Sequence, residues 1–173
     1  MSSDQEENII KKYKGYLIDL DGTVYKGAER IPTAEIFVKE LQDKNIPFLF
    51  VTNNATKTAA EVKANLLDNF QIDVTEDHIY TSAMAALDHL NELNIGKKVL
   101  VVGEASLKQE VQAAGFEMVD QDPDFVLQAL DRGVTYQQLE AAVWQSKKEL
   151  SLLRRTLIPI CRPNEALFQE PVL

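Results

Sequence analysis

Residues 16–23 read Tyr16-Leu17-Ile18-Asp19-Leu20-Asp21-Gly22-Thr23. A short apolar run meets two aspartates and a glycine. Such a run, bounded by turn residues, is the pattern of a buried strand in a parallel sheet. It predicts a strand over Tyr16–Asp19, with Asp21–Gly22 as its exit. A second run, Pro47–Thr52 (PFLFVT), predicts another strand, ended by Asn53-Asn54. Between them, Thr33–Lys44 spaces Ile36, Phe37, Val38 and Leu41 as one face of a helix. Lys57–Phe70 repeats that spacing, with Ala60, Val62, Leu66, Leu67 and Phe70 as candidate buried positions. Ser82–Leu93 is a third helix, Val99–Val102 a strand closed by Gly103, and Ala105–Ala114 a helix stopped by Gly115. Phe125–Ala129 predicts a further strand, and Thr135 caps a helix starting near Tyr136. Strand alternates with helix throughout, so the fold class is α/β with a mainly parallel sheet.

In open α/β sheets, ligands bind at the carboxyl ends of the strands. The first predicted strand ends in Asp19 and Asp21, two carboxylates separated by one apolar residue. Close carboxylates repel, and a cation or a shared proton relieves the repulsion. A bound magnesium would satisfy them and hold a phosphate. One carboxylate could then attack phosphorus while the other moves a proton. The second strand end offers the Thr52 hydroxyl, the Asn53 and Asn54 amides and backbone N–H groups as donors to phosphate oxygens. An isolated Asp-x-Asp-Gly is equally well a solvated turn; the pairing with Thr52-Asn53-Asn54 is what favours chemistry.

Composition narrows the partners. The chain has 173 residues, 45% hydrophobic, with 27 acidic against 18 basic residues and a net charge of -9. That charge disfavours nucleic acid and anionic membranes. No stretch approaches the roughly 20 apolar residues of a membrane span. The start, MSSDQEENIIKK, is polar, lacks the basic and apolar regions of a signal peptide and is expected to fray. A cytoplasmic location is expected. Cys161 is the single cysteine, which excludes an intrachain disulfide. With only His78 and His89 beside it, any metal would be hard and oxygen-bound. Both histidines, Lys26 and the acidic stretch Asp120–Asp124 read as structural or solvated residues, and Phe37, Phe48, Phe50 and Phe70 as core. Gly103-Glu104 lacks a nucleotide-loop pattern and reads as a turn leading into a helix.

DLDGTVYKG at 19–27, followed by a helix and then FLFVTNNAT at 48–56, resembles the haloacid dehalogenase superfamily, in its NagD-like and para-nitrophenyl phosphatase branch. The resemblance covers about residues 13–141. It implies a Rossmann-like core over 1–81 and part of an α/β cap domain over 82–142. It implies hydrolysis of a small phosphate monoester, a sugar phosphate or a nucleotide, with Mg2+ as cofactor. In that scheme Asp19 is the nucleophile that becomes an aspartyl phosphate, and Asp21 is the general acid and base. The Asp19 carboxylate and the Asp21 backbone carbonyl bind the metal, and Thr52 and Asn53 hold the phosphoryl group. The resemblance also implies a homodimer as the possible assembly. The alternatives are an inactive fragment that pairs with another chain and a phosphoryl transferase of the same superfamily.

The pattern breaks late in the chain. A complete member of the family supplies a phosphate-binding lysine and a further metal-binding aspartate after the cap. From about Trp144 the residues lose the strand–turn–helix order. Lys147–Leu153 (KKELSLL) admits codons that, read one offset over, give KGALFI, and the rest of the tail can continue as ATNLDTNLPTERGFIPGAGA, a family-like string. The expectation is a chain truncated and out of frame over 143–173, with impaired catalysis; the alternatives are a divergent natural tail and an engineered truncation.

Overall fold

A computed structural model describes residues 13–147 and, for the backbone, 157–159. The expectations for the polar start and for most of the tail concern residues outside these. The described chain forms two units: 13–52 with 59–81, and 53–58 with 82–147 and 157–159.

The first unit is built on β1 (Tyr16–Asp19), β4 (Phe48–Thr52) and β5 (Ile79–Thr81), paired in parallel in the order β1-β4-β5. Helix α1 (Pro32–Asp43) connects β1 to β4, and α2 (Ala59–Phe70) leads from β4 to β5. Both steps move the same way across the sheet, so right-handed crossovers place both helices on one face. Burial follows the strand period of two. Ile18, Phe48, Phe50, Thr52, Ile79 and Thr81 are buried on the helix-covered side, against Val38 and Leu41 of α1 and Val62, Leu66 and Phe70 of α2. Tyr16 belongs to the same side, its ring 5.3 Å from that of Phe37. The opposite face carries Leu17, which is 77% exposed, with Leu49, Val51 and Tyr80 half-buried. The expectation of a fully buried first strand is therefore corrected. The helix registers are corrected too: Ile36, Ala60 and Leu67 face solvent, while Ala59 is buried. The four phenylalanines and His78 are structural as expected: the His78 ring packs 4.8 Å from Phe48, and its Nδ1 bonds Thr75 Oγ1 at 2.9 Å.

A two-residue hairpin was not foreseen. Strands β2 (Tyr25–Lys26) and β3 (Glu29–Arg30) pair antiparallel around Gly27-Ala28. Gly27 has φ +60°, the left-handed value that tight hairpin turns demand and glycine adopts freely.

The second unit is a parallel sheet in the order β7-β6-β8-β9, from β6 (Lys98–Val102), β7 (Glu117–Met118), β8 (Phe125–Gln128) and β9 (Leu157–Pro159). Helices α3 (Ser82–Leu93), α4 (Ala105–Ala113) and α5 (Tyr136–Lys147) accompany it. Leu87, Leu90, Leu107, Val111, Phe116 and Phe125 make its main core, and Leu100, Val102, Val126 and Ala142 a second cluster. Gly115 at φ +78° ends α4 as expected. The tail departs from the expectation at two places: α5 runs through Trp144 to Lys147, and Leu157–Pro159 forms a strand beside β8.

Segment 53–58, placed with the core by sequence, packs with the second unit. Ala55 is buried in that unit's core. Ser82 Oγ donates to Asn53 O and Ser106 Oγ to Thr56 O, each at 3.0 Å. Asn54 Oδ1 closes the loop by accepting from Thr56 N at 2.8 Å and Thr56 Oγ1 at 2.7 Å, the local turn that asparagine side chains favour.

Candidate active site

Two fully buried residues, Leu20 and Val24, anchor the loop after β1. Leu20 O accepts from Thr23, Val24 and Tyr25 N–H at 3.3, 2.8 and 3.2 Å. Gly22, at φ +87°, turns the chain back, and its N–H donates to Tyr25 O at 2.6 Å. Asp19 and Asp21 flank the buried Leu20 and are both exposed. The hairpin then folds over the second aspartate: Gly27 N–H donates to Asp21 Oδ1 at 3.2 Å, which orients that carboxylate.

Tyr25 is a neighbour of the aspartates that the sequence reading missed. Its ring stacks on Phe70, with centroids 4.5 Å apart and planes 10° from parallel. Burial first, and then the Asp21 and Asp19 charges, hold its phenol above the ordinary value of 10.0. Both carboxylates flank Leu20 on the loop that leads to Tyr25. The visible signal was Gly27, two residues after Tyr25 at a hairpin turn.

Thr52 ends β4, next to β1, where the register pairs Asp19 with Val51. Its side chain is only 4% exposed, so it lies deeper than the aspartates. Asn53 follows it directly and is exposed. Lys26 and His89 are exposed, in line with their bland reading.

Asp19 and Asp21 are hard oxygen donors at an exposed strand end, the donor type a magnesium ion takes while keeping several waters. They fit such a cation. Among the described residues, no cluster of three or more His, Cys, Asp or Glu forms a fuller metal cage.

In the acidic stretch, Asp124 is a backbone clamp rather than a merely solvated residue. Its Oδ2 accepts from Lys97 N and Lys98 N, each at 2.9 Å. The second unit also holds a cavity of about 390 Å3, lined by Lys108, Asp120, Gln121, Thr135 and Gln138 among others.

The family model described as "Haloacid dehalogenase-like hydrolase" matches residues 16–117. The chain is 41% identical over 129 residues to 5'-nucleotidase YutF of Bacillus subtilis strain 168, covering 75% of this chain and 50% of YutF. It is 41% identical over 134 residues to an acid sugar phosphatase of Staphylococcus epidermidis, covering 77% of this chain and 51% of that protein. The structure superposes on NagD from E. coli K-12 with a TM-score of 0.71 at 32% identity, covering 76% of this chain and 52% of NagD. The chain thus spans about half the length of the curated relatives it matches. The matched span covers both strand ends and the hairpin beside them, and the chain belongs to the haloacid dehalogenase-like hydrolases, in the branch that includes NagD.

Proposed function

We propose that this chain carries the nucleophile half of a magnesium-dependent phosphatase acting on small phosphate monoesters. The observation that carries the reading is the paired exposed carboxylates Asp19 and Asp21 at the carboxyl end of β1, beside the Thr52 end of β4. The named activities of the relatives, a 5'-nucleotidase and an acid sugar phosphatase, support a sugar-phosphate or nucleotide substrate.

Asp19 Oδ attacks phosphorus, and the bond from phosphorus to the leaving oxygen breaks. Asp21, oriented through Gly27 N–H, gives that oxygen its proton. Asp21 then takes a proton from a water that attacks the aspartyl phosphate, releasing phosphate and restoring Asp19. The Thr52 hydroxyl and the Asn53 amide steady the phosphoryl oxygens. Magnesium, when bound by the Asp19 carboxylate and the Asp21 carbonyl, neutralises phosphoryl charge. Phosphoryl transfer depends on positioning and charge neutralisation. This proposal carries with it the expectation of impaired catalysis, with turnover slower by several powers of ten than at a complete site.

In this reading residues 1–81 are the core, apart from the 53–58 segment that packs with the second unit, and 82–142 the start of the cap; the location is cytoplasmic, and 143–173 are out of frame. Sequencing the coding DNA tests the frame: codons incompatible with the offset peptide overturn it. The chemistry is tested by acid-quenching the chain during turnover of para-nitrophenyl phosphate and mapping phosphate by mass spectrometry. A hydroxylamine-labile phosphate on the Asp19 peptide is expected; a stable phosphate on a serine or threonine overturns the assignment.

A further inference from the structure

Two serine hydroxyls reach the loop that follows β4. The register pairs Thr52 with Thr81 at the carboxyl ends of β4 and β5. Ser82 comes next in the chain and is the first residue of α3, so its backbone turns into the helix. Its side chain makes the next cross-link instead: Ser82 Oγ donates to Asn53 O at 3.0 Å. Ser106, in the first turn of α4, is only 8% exposed, and its neighbour Leu107 belongs to the main apolar core of the second unit. A buried hydroxyl needs a partner, and Ser106 Oγ has one in Thr56 O, also at 3.0 Å. Between these two bonds Ala55 is buried in the same core, and Asn54 Oδ1 accepts from the Thr56 N–H and hydroxyl. Every residue from Asn53 to Thr56 is therefore tied down, although Asn53 and Asn54 are exposed.

This loop follows directly on Thr52, and its first residue is Asn53. A peptide unit is planar, so fixing the Asn53 carbonyl also fixes the direction of the Asn54 N–H across the same plane. Donors to a transferring phosphoryl group act through placement, and a rigid support is what gives them that placement. We propose that Ser82 and Ser106 are positioning residues for phosphoryl binding: through Asn53 O and Thr56 O they hold the 53–56 loop in the conformation in which Asn53 meets the phosphoryl oxygens. The inference rests on the assignment of Thr52 and Asn53 to the phosphoryl group and extends it to two hydroxyls that lie 29 and 50 residues from their partners in sequence. Ser82 bonds Asn53 itself and has the larger effect; Ser106 acts through Thr56.

The test titrates the full 173-residue chain with inorganic phosphate at saturating magnesium, by calorimetry. Ser82→Ala is expected to weaken binding roughly threefold to tenfold, the value of one neutral hydrogen bond, and Ser106→Ala by a smaller factor. Ser82→Thr keeps the hydroxyl and is expected to restore the wild-type affinity. Thr135→Ala breaks a helix cap in the same unit without touching the loop, so it loses stability but is expected to bind phosphate as the wild type does. Thr52→Val reads the underlying assignment and is expected to weaken binding too. Circular dichroism checks each fold, and the Ser82 pair decides the matter if Ser106→Ala does not fold. Unchanged affinity in Ser82→Ala beside a weakened Thr52→Val overturns this inference alone. A loss that Ser82→Thr does not restore, or an equal loss in Thr135→Ala, overturns it as well, since a merely structural role would give either result. Phosphate binding indifferent to Thr52→Val, or no binding by the folded wild-type chain, overturns both the inference and the assignment beneath it.

Discussion

Removing the Asp124 carboxylate should loosen the second unit by a predictable amount. Its Oδ2 accepts from two consecutive amides, Lys97 N and Lys98 N, each at 2.9 Å, and Asp124 N donates back to Lys98 O at 2.8 Å. The side chain therefore ties the start of β6 to the start of β8. Hydrogen bonds to a charged group contribute about 1.5–3 kcal/mol each. Asp124 is half-exposed and water can reach the freed amides, so the low end applies, and Asp124→Ala should cost about 2–3 kcal/mol in all. For a chain of this size that lowers the melting temperature by roughly 5–10 °C. Gly96 provides an independent route to the same clamp. A Cβ there would overlap the Asp124 carboxylate and lie 2.7 Å from the Asp124 Cβ. Gly96→Ala must push the carboxylate aside and should cost a similar amount. Because both changes break the same two bonds, the double variant should lose less than the sum of the single losses, by about 1 kcal/mol or more. Urea denaturation of the four proteins measures this cycle. A loss under about 0.5 kcal/mol for Asp124→Ala, the size of an ordinary surface change, or strictly additive losses, would refute the clamp.

Three further outcomes follow from local geometry. Thr135 and Gln138 form a reciprocal cap, with Thr135 N donating to Gln138 Oε1 at 2.8 Å and Gln138 N to Thr135 Oγ1 at 3.3 Å, so Thr135→Ala should cost about 1 kcal/mol by thermal melting. The Arg30 guanidinium grips Glu35 through two bonds of 2.7 and 2.6 Å and holds its carboxyl below the usual range. A depressed folded value gives stability that is present above the ordinary carboxylate range and lost as pH falls through the folded value; Glu35→Gln should remove that part of the acid sensitivity, read by denaturation across the acid range. Tyr25 should ionise above the ordinary phenol value, its contribution to stability present below 10.0 and lost as pH rises through the folded value. Ultraviolet titration should show a late phenol that disappears in Tyr25→Phe and moves down in Asp21→Asn.

The strands and helices were legible where chemistry is regular. FLFVT and the Asp19–Asp21 pair announce two parallel strand ends because apolar runs in such sheets stop at polar turns. The carboxylate pair and Thr52 could be placed at two strand ends from the sequence, while the adjacency of those strands comes from the sheet order. What escaped depends on tertiary context. A two-residue hairpin has no period to read, so Tyr25 was not seen beside the aspartates. Ile36 and Leu67 look like core residues in a helical pattern, but the sheet beneath each helix is narrow and leaves the helix flank in solvent. Leu17 reads as buried because parallel strands usually are, whereas among the described residues it is exposed. Asp124 sits in a run of acidic residues that looks solvated, and its two amide partners lie 26 and 27 residues away in sequence.

The central claim is that Asp19 is the group that takes the phosphoryl. Hydrolysis of para-nitrophenyl phosphate by the folded 173-residue chain, with and without magnesium and beside Asp19→Asn, tests it most directly. Slow, magnesium-dependent hydrolysis above the buffer blank, abolished by Asp19→Asn, is expected. Hydrolysis that persists in Asp19→Asn, or none above the blank from folded wild-type chain, would contradict it.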